Sequence, residues 1–324
     1  MTSGQRDRDG WFPEINTGFN SVFKPGRLSL GIVVPIENYS ATSVPTMADH
    51  IERVQLAEEL GFSAVWLRDV PFNVPSFGDA GQVFDPFVYL GLLAGATSKI
   101  SLGVASLILP LRHPAHVAKA AASVDHLSGG RFILGIASGD RPEEYPAMNV
   151  PYKERGAIFR ESYEYIRKIT APYPHFDNRL GAVSGEVDLL PKPYGQQVPL
   201  LITGSSQQAP DWLVSNGDGW ITYPRPHAEQ KHFIKQLRKN ICREEVPAKP
   251  VMEPLYIDVI GDPDCPPQPI HLGFRIGINQ LAVYLKSRAA IGINHIALNL
   301  RFNKRDVQET LQQIATNILP ELKG

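Results

Sequence analysis

The residues of this chain that could do chemistry stand at the ends of short apolar runs. Gly204-Ser205-Ser206 closes the run at 199–204 and leads into a helix-like stretch. Such a turn offers free backbone N–H groups and two hydroxyls to a phosphate, and the helix dipole adds attraction. In isolation the same serines read as an ordinary helix N-cap. Arg68 and Asp69 end the run at 64–69 and can present a cation and a carboxylate to one ligand, or pair with each other as a structural salt bridge. Tyr145 follows the run at 131–138, where its hydroxyl can donate to a phosphate or its ring can simply pack. His113 and His116 lie three apart at a helix start. No carboxylate or further histidine accompanies them at ligand spacing, so they read as helix entry and packing, and no metal site is expected. Cys242 and Cys265 show no CxxC spacing and read as free thiols of a reducing compartment.

The elements that must hold these groups follow from period. Eight short β-rich runs, at 28–35, 64–69, 100–109, 131–138, 199–204, 219–223, 255–260 and 295–300, alternate with longer stretches of helical spacing. In the stretch at 47–60, for example, Ile51, Val54, Ala57 and Leu60 share one face and Gly61 suits the C-cap. Eight repeated βα units with no Pro- or Gly-rich linker between halves predict an α/β fold, a (β/α)8 TIM barrel with rim insertions. The whole of 1–324 is read as that one domain, with 1–27 as an N-terminal extension. The Pro-rich, weakly periodic 171–197 predicts an excursion on the rim, and 140–155 and 261–275 are read as rim segments able to close as lids. In such barrels chemistry sits at the C-terminal ends of the strands, where the groups above fall.

Composition narrows the partners. With 43% apolar and 20% charged residues the chain can bury a large core. Thirty-two basic against thirty-three acidic residues, with no dense basic run, argue against nucleic acid. No stretch reaches the roughly 18 apolar residues of a membrane span. Arg6, Asp7, Arg8 and Asp9 interrupt the amino terminus, which has no apolar stretch of signal-peptide length. A cytoplasmic protein is expected.

Three ordered motifs carry a resemblance. Leu109-Pro110-Leu111-Arg112-His113-Pro114 is followed by Leu127-Ser128-Gly129-Gly130-Arg131-Phe132-Ile133-Leu134-Gly135, and then by the strand and turn ending in Gly204-Ser205-Ser206 with Asp211-Trp212 beyond. Over residues 28–223 the chain resembles the luciferase-like monooxygenases and their deazaflavin-dependent relatives. The resemblance implies a phosphate-binding turn at Gly204, Ser205 and Ser206. It also implies a cis peptide at Ala105-Ser106 behind the flavin ring, where the residues alone allow a β-bulge. Ala137, Ser138 and Gly139 then lie along the flavin, since small side chains let a planar ring approach the backbone. Asp140 matches a position that carries a catalytic glutamate in some deazaflavin-dependent members, so it is a candidate acid or base, or a cap for the next helix. The family often has a histidine after the residue matching Asp69; here Asp69-Val70-Pro71 stands instead.

With the resemblance, Arg68, Asp69 and Asp140 are the candidate catalytic residues, and the implied function is a flavin-dependent oxidoreductase. Reduced FMN would arrive as a co-substrate from a separate flavin reductase, because no Gly-x-Gly-x-x-Gly turn for a dinucleotide is present. It would act with O2 on a small organic substrate. A deazaflavin coenzyme serving hydride transfer, or flavin binding without catalysis, are the alternatives. A homodimer through helices near the amino-terminal strands is implied as well. A Schiff-base aldolase lacks its barrel lysine, and a metal hydrolase lacks its ligand cluster.

Overall fold

The computed structural model describes residues 11–322. The charged run Arg6 to Asp9 lies outside the described residues. In chain order the strands are β1 (Ser29–Val33), β2 (Ala64–Leu67), β3 (Ser101–Ile108), β4 (Phe132–Ala137), β5 (His175–Asn178), β6 (Gly181–Ser184), β7 (Leu200–Thr203), β8 (Gly219–Ile221), β9 (Val251–Val259), β10 (Gln268–Ile270), β11 (Gly273–Ile276) and β12 (His295–Asn299). The helices are α1 (Thr17–Val22), α2 (His50–Glu59), α3 (Pro86–Ala96), α4 (Pro114–Leu127), α5 (Glu144–Ala147), α6 (Arg155–Ile169), α7 (Pro210–Asn216), α8 (His227–Arg243), α9 (Ile278–Ala290), α10 (Val307–Asn317) and α11 (Leu319–Leu322).

Strands β1, β2, β3, β4, β7, β8, β9 and β12 pair in parallel in that order, and β12 returns to β1, so the barrel closes. All eight runs read from the sequence are these strands. The seventh begins four residues before its predicted start and runs through Pro254, a residue whose missing N–H usually keeps it out of sheet interiors.

The period of two along each strand divides the core in two. Leu30, Ile32, Val65, Leu67, Leu102 and Val104 face out into the layer packed against the helices. Their neighbours Val33, Ala64 and Trp66, with Ile133, Leu201, Met252 and Ala297, fill the barrel. Trp66 fits only because Gly103 faces it, where a Cβ would lie 2.3 Å from the indole ring.

Residues 11–27, read from the sequence as part of an extension, cover the bottom of the barrel. Phe12, Ile15, Phe19, Val22 and Phe23 are buried in one cluster with Trp66, Ile133 and Leu201. Asn16 caps α1 by accepting from the Phe19 amide at 2.9 Å and donates to Asp125 at 2.9 Å and to the Phe132 carbonyl at 2.7 Å. The stretch at 171–197, predicted as an excursion on the rim, folds as the β5–β6 hairpin along α6, with its tip at the N-terminal ends of α4 and α6, where Arg179 bonds Glu154 and Glu161 and His113 lies 3.0 Å from the Leu180 carbonyl. It then runs to the floor, where the Gln196 amide donates to Ile15 at 3.0 Å.

Beneath the cavity a fully buried histidine ties floor to wall. The Trp66 indole N–H donates to His295 Nε2 at 2.8 Å. Nδ1 therefore carries the proton and donates to Ser29 Oγ at 2.7 Å, and that hydroxyl donates to the Val22 carbonyl at 2.7 Å. Burial pushes the His295 pKa down to about 3. An unfolded imidazole takes a proton near pH 6.5, while the folded one refuses it. The stability from this site is thus complete above about pH 6.5 and declines as pH falls toward about 3, by up to about 1.4 kcal/mol per pH unit. Urea midpoints at pH 7, 6 and 5 should therefore fall more steeply for the native chain than for His295→Gln. Parallel slopes would contradict this.

Candidate active site

The C-terminal ends of the barrel strands open into a cavity of about 560 Å³. Its lining divides by the strand that supplies it. On one side stand β3, β4, β7 and β8; on the other, β9, β12, β1 and β2, so the two groups occupy opposite halves of the ring.

On the first half the surface is low and polar. Ala105, Ser106, Ala137, Ser138 and Gly139 all line the cavity. The Ala105–Ser106 peptide is cis, and the pairing of β3 with β4 shifts register between Val104 and Leu107, so the implied cis bond and the bulge occur together. Ser106 Oγ lies in hydrogen-bond contact with Thr203 Oγ1 across to β7. Gly139 has φ +76, and a Cβ there would stand 2.7 Å from Ile108 and from the Tyr145 hydroxyl. Only glycine lets the chain turn so tightly beneath that ring.

The turn after β7 has left-handed backbone at Gly204, Ser206 and Gln207. Its first amide is used, since Gly204 donates to Ile221 at 2.9 Å, but the amides of Ser205, Ser206 and Gln207 have no partner among the described residues. Three successive free N–H groups, two of them on left-handed backbone, could hold an anion. Ser206 spends its hydroxyl on the Thr203 carbonyl at 2.8 Å, and Ser205 lies exposed outside the cavity lining. The groups of this turn left free toward the cavity are therefore backbone amides rather than hydroxyls.

Arg155 joins the turn on the cavity wall. It begins α6, whose next residue, Gly156, packs so closely on the turn that a Cβ would lie 2.7 Å from Gln207. The guanidinium stacks 3.9 Å over the Tyr152 ring, donates to the Tyr152 carbonyl at 3.0 Å, and keeps Nε buried without a partner. Sequence reading missed this residue, because nothing near 155 shares a run with residue 204.

Of the two roles open to Tyr145, phosphate donor or packing ring, the structure has the second. Tyr145 is fully buried and donates its hydroxyl to the Ser138 carbonyl, with no face on the cavity. It therefore shapes the end of β4, and burial pushes its hydroxyl pKa up.

Arg68 and Asp69, which follow the end of β2, both reach the cavity but do not pair with each other, because each is taken by a different partner. Asp69 accepts from the Ile108 amide at 3.0 Å and from Arg112 at 2.9 and 3.3 Å, so its oxygens are committed to holding the end of β3. Arg68 bonds Asp79. Asp140 is exposed on the cavity lip with no side-chain hydrogen bond to a described residue, and α5 starts without it as a cap. It is the free carboxylate at the end of β4.

On the second half Asp79 lies almost wholly buried, surrounded by donors. Its Oδ1 accepts from Gly81 at 2.8 Å and from Tyr39 at 3.1 Å; its Oδ2 faces Arg68, Arg301 at 3.2 Å and Tyr256 at 3.5 Å. Burial alone would raise this carboxyl, but Arg68, the Gly81 amide and Arg301 outweigh it and hold its pKa below the usual value. The 261–275 segment, expected as a lid, is fastened to the sheet: β11 pairs with β9 from Gly273↔Tyr256 to Ile276↔Val259.

A family model described as luciferase-like monooxygenase matches residues 28–253. The chain belongs to this family. Among curated proteins, the alkanal monooxygenase alpha chain of Photorhabdus luminescens is 30% identical to this luciferase-like chain over 165 residues, 50% of this chain and 44% of the relative. The chain spans about half to just under two thirds of the length of the curated relatives it matches. An F420-dependent secondary alcohol dehydrogenase, solved with an F420-acetone adduct, superposes with TM-score 0.75 at 17% identity, covering 92% of this chain and all of its own. The FMN-bound oxygenating constituent of 3,6-diketocamphane monooxygenase from Pseudomonas putida gives TM-score 0.69 at 11% identity, covering 91% and 99%. At those identities the likeness is one of fold. It agrees with the closed parallel barrel.

Proposed function

We propose that this luciferase-like chain is a flavin-dependent oxidoreductase that takes reduced FMN as a co-substrate and acts with O2 on a small organic molecule. The observation that carries the reading is one half-cavity with two matched parts. A wall of small residues at Ala105, Ala137 and Gly139 admits a flat ring, and three unpartnered amides beside Arg155 suit a phosphate. When bound, the reduced flavin supplies the electrons that activate O2 toward the substrate. Ser106 and Ser138 orient the ring from the strand ends. Arg155 and the amides of Ser205, Ser206 and Gln207 anchor the phosphate. Phe77, with Arg141 stacked 4.8 Å over it, and Tyr152 narrow the mouth and limit water. Asp140 is the group able to carry a proton at that lip.

A reaction with O2 is favoured over hydride transfer because the relatives matched by sequence include both chains of an alkanal monooxygenase, while the F420 enzymes match by fold, and FMN is the flavin proposed for it. A separate flavin reductase is the implied source of reduced FMN. Cys242 and Cys265, both free, fit the reducing cytoplasm, and no helix among the described residues is long and apolar enough to cross a membrane.

Anaerobic titration with reduced FMN and with the reduced deazaflavin coenzyme tests the assignment, followed by admission of O2 with spectral recording. FMN is expected to bind more tightly and to be reoxidised in the presence of protein through a species absent from free flavin. Preference for the deazaflavin moves the chain to hydride transfer. Tight binding without turnover makes it a flavin carrier, and binding of neither overturns the reading.

The partner proposed is a second copy. Helix α3 is apolar around its whole circumference, burying Tyr89, Leu90 and Leu93 while Val88 and Leu92 remain 73% and 49% exposed. A helix apolar on every side needs cover on every side. Light scattering should report a dimer for the native chain and a monomer for Val88→Glu/Leu92→Glu. A monomeric native chain, or an unchanged mass in the variant, would sink this.

A further inference from the structure

The half of the cavity that the flavin reading leaves free carries more cationic than anionic charge. Around the site Asp69 is matched by Arg112, and Glu144 lies 3.5 Å from Arg141. Asp79, however, is one carboxylate between two guanidinium groups, Arg68 and Arg301. Its oxygens are filled by those two arginines, by Tyr39 and Tyr256, and by the Gly81 amide, so it has no further acceptor capacity to offer a ligand. The arginines are not filled in return. Arg301 uses one terminal nitrogen on Asp79 and the other on the Gly78 carbonyl, and its Nε is buried with no partner. Arg68 gives NH1 to Asp79, and its Nε and NH2 have no partner among the described residues. Both side chains face the cavity, at 23% and 11% exposure. The free carboxylate of the site, Asp140, stands at the end of β4 on the opposite half.

A buried guanidinium nitrogen without an acceptor is costly, and a planar fork of N–H donors suits a carboxylate better than a neutral carbonyl or hydroxyl. Asp79 bonds both arginines and so limits how far either can swing. Arg301 is further flanked by the Tyr39 and Phe302 rings at 5.1 and 5.3 Å. Tyr256 and His271 flank the same wall, with ring centroids 5.7 Å apart, and bring apolar surface beside the charge.

We propose that the half-cavity between β9 and β2 is the substrate site, and that it selects a small organic carboxylate by pairing it with Arg68 and Arg301 while Asp79 fixes both guanidinium groups. The substrate is then an acid with an apolar body, not a neutral aldehyde, ketone or alcohol. The assignment of this pocket to the reacting substrate rests on the flavin reading; the preference for an anion does not.

Calorimetric titration of the full chain without flavin separates the two. The probes are hexanoate, benzoate and phenylacetate, each against its primary amide and against the matching sulfonate. At least one carboxylate should bind about tenfold or more tighter than its amide. Arg301→Met should remove that preference, and Arg301→Lys, which keeps the charge facing Asp79 but lacks the fork, should reduce it. Far-UV circular dichroism and a reduced-FMN titration of the same variants check that the fold and the other half of the cavity are intact. Equal binding of acids and amides, binding of none of the acids, or an unchanged preference in a folded Arg301→Met would overturn the proposal. A sulfonate preferred over its carboxylate would overturn the choice of headgroup. Acid selectivity in a chain that binds no flavin leaves this site standing and sinks the flavin reading; flavin binding without acid selectivity does the reverse.

Discussion

Arg288→Met should lower the unfolding free energy by about 3–5 kcal/mol, a larger loss than most single replacements cause. Arg288 and Glu253 are each 1% exposed, and two parallel hydrogen bonds of 3.0 and 2.6 Å join them behind the barrel wall. A third donor reaches the Arg225 carbonyl at 3.1 Å and so ties α9 to the end of β8. Removing the guanidinium strands a carboxylate whose pKa burial already raises. Glu253→Leu combined with Arg288→Met removes both charges and should recover most of the loss, because the desolvation that made either single change costly is then absent. Urea denaturation of the two single variants and the double variant checks this. A single variant within about 1 kcal/mol of the native chain would show that water reaches the pair.

Arg155→Ala should weaken reduced FMN binding by about ten- to a hundredfold while leaving riboflavin binding within about twofold. Arg155 is the cation beside the three unpaired amides of the turn, its Nε is buried without a partner, and Tyr152 holds it in place. A charge-assisted bond to phosphate is lost in the variant, but riboflavin has no phosphate to lose. Fluorescence titration with both ligands reads the difference. Equal weakening for the two would mean that Arg155 supports the wall rather than the phosphate, and no change in either would place the phosphate elsewhere. The amides of Ser205 to Gln207 remain in the variant, so some preference for FMN over riboflavin should persist.

Much of the cofactor half was legible before any fold was known. Ala105, Ser106, Ala137, Ser138, Gly139 and the Gly204 turn all follow immediately on strands, and a strand's end can be read from its own local run. The likeness of motifs then implied a flavin at such ends, as proposed above. Two readings there were refined by packing. Ser205 points away, and Tyr145 turns under the chain to the Ser138 carbonyl, since a run's end does not say which way the following loop folds.

On the other half, proposed for the substrate, only Arg68 and Asp69 were legible. Asp79, Tyr256, His271 and Arg301 come from four separate loops or strands, and the Arg301 side chain meets a residue more than two hundred positions earlier in the chain. No local spacing announces such a meeting. The Arg68-Asp69 dipeptide suggested a pair, but partners from distant parts of the chain took one to Asp79 and the other to Arg112.

What the sequence by itself determined is the barrel and the strand ends that face its mouth, because hydrophobic period and turn residues act over a few positions and repeat eight times. What only the tertiary structure decided is which charges share a partner, which amides are left free, and that the segment from 11 to 27 covers the floor. Those outcomes depend on closing the barrel. Closure brings β12 beside β1 and places residues from opposite ends of the chain within bonding distance, a juxtaposition with no counterpart in local periodicity.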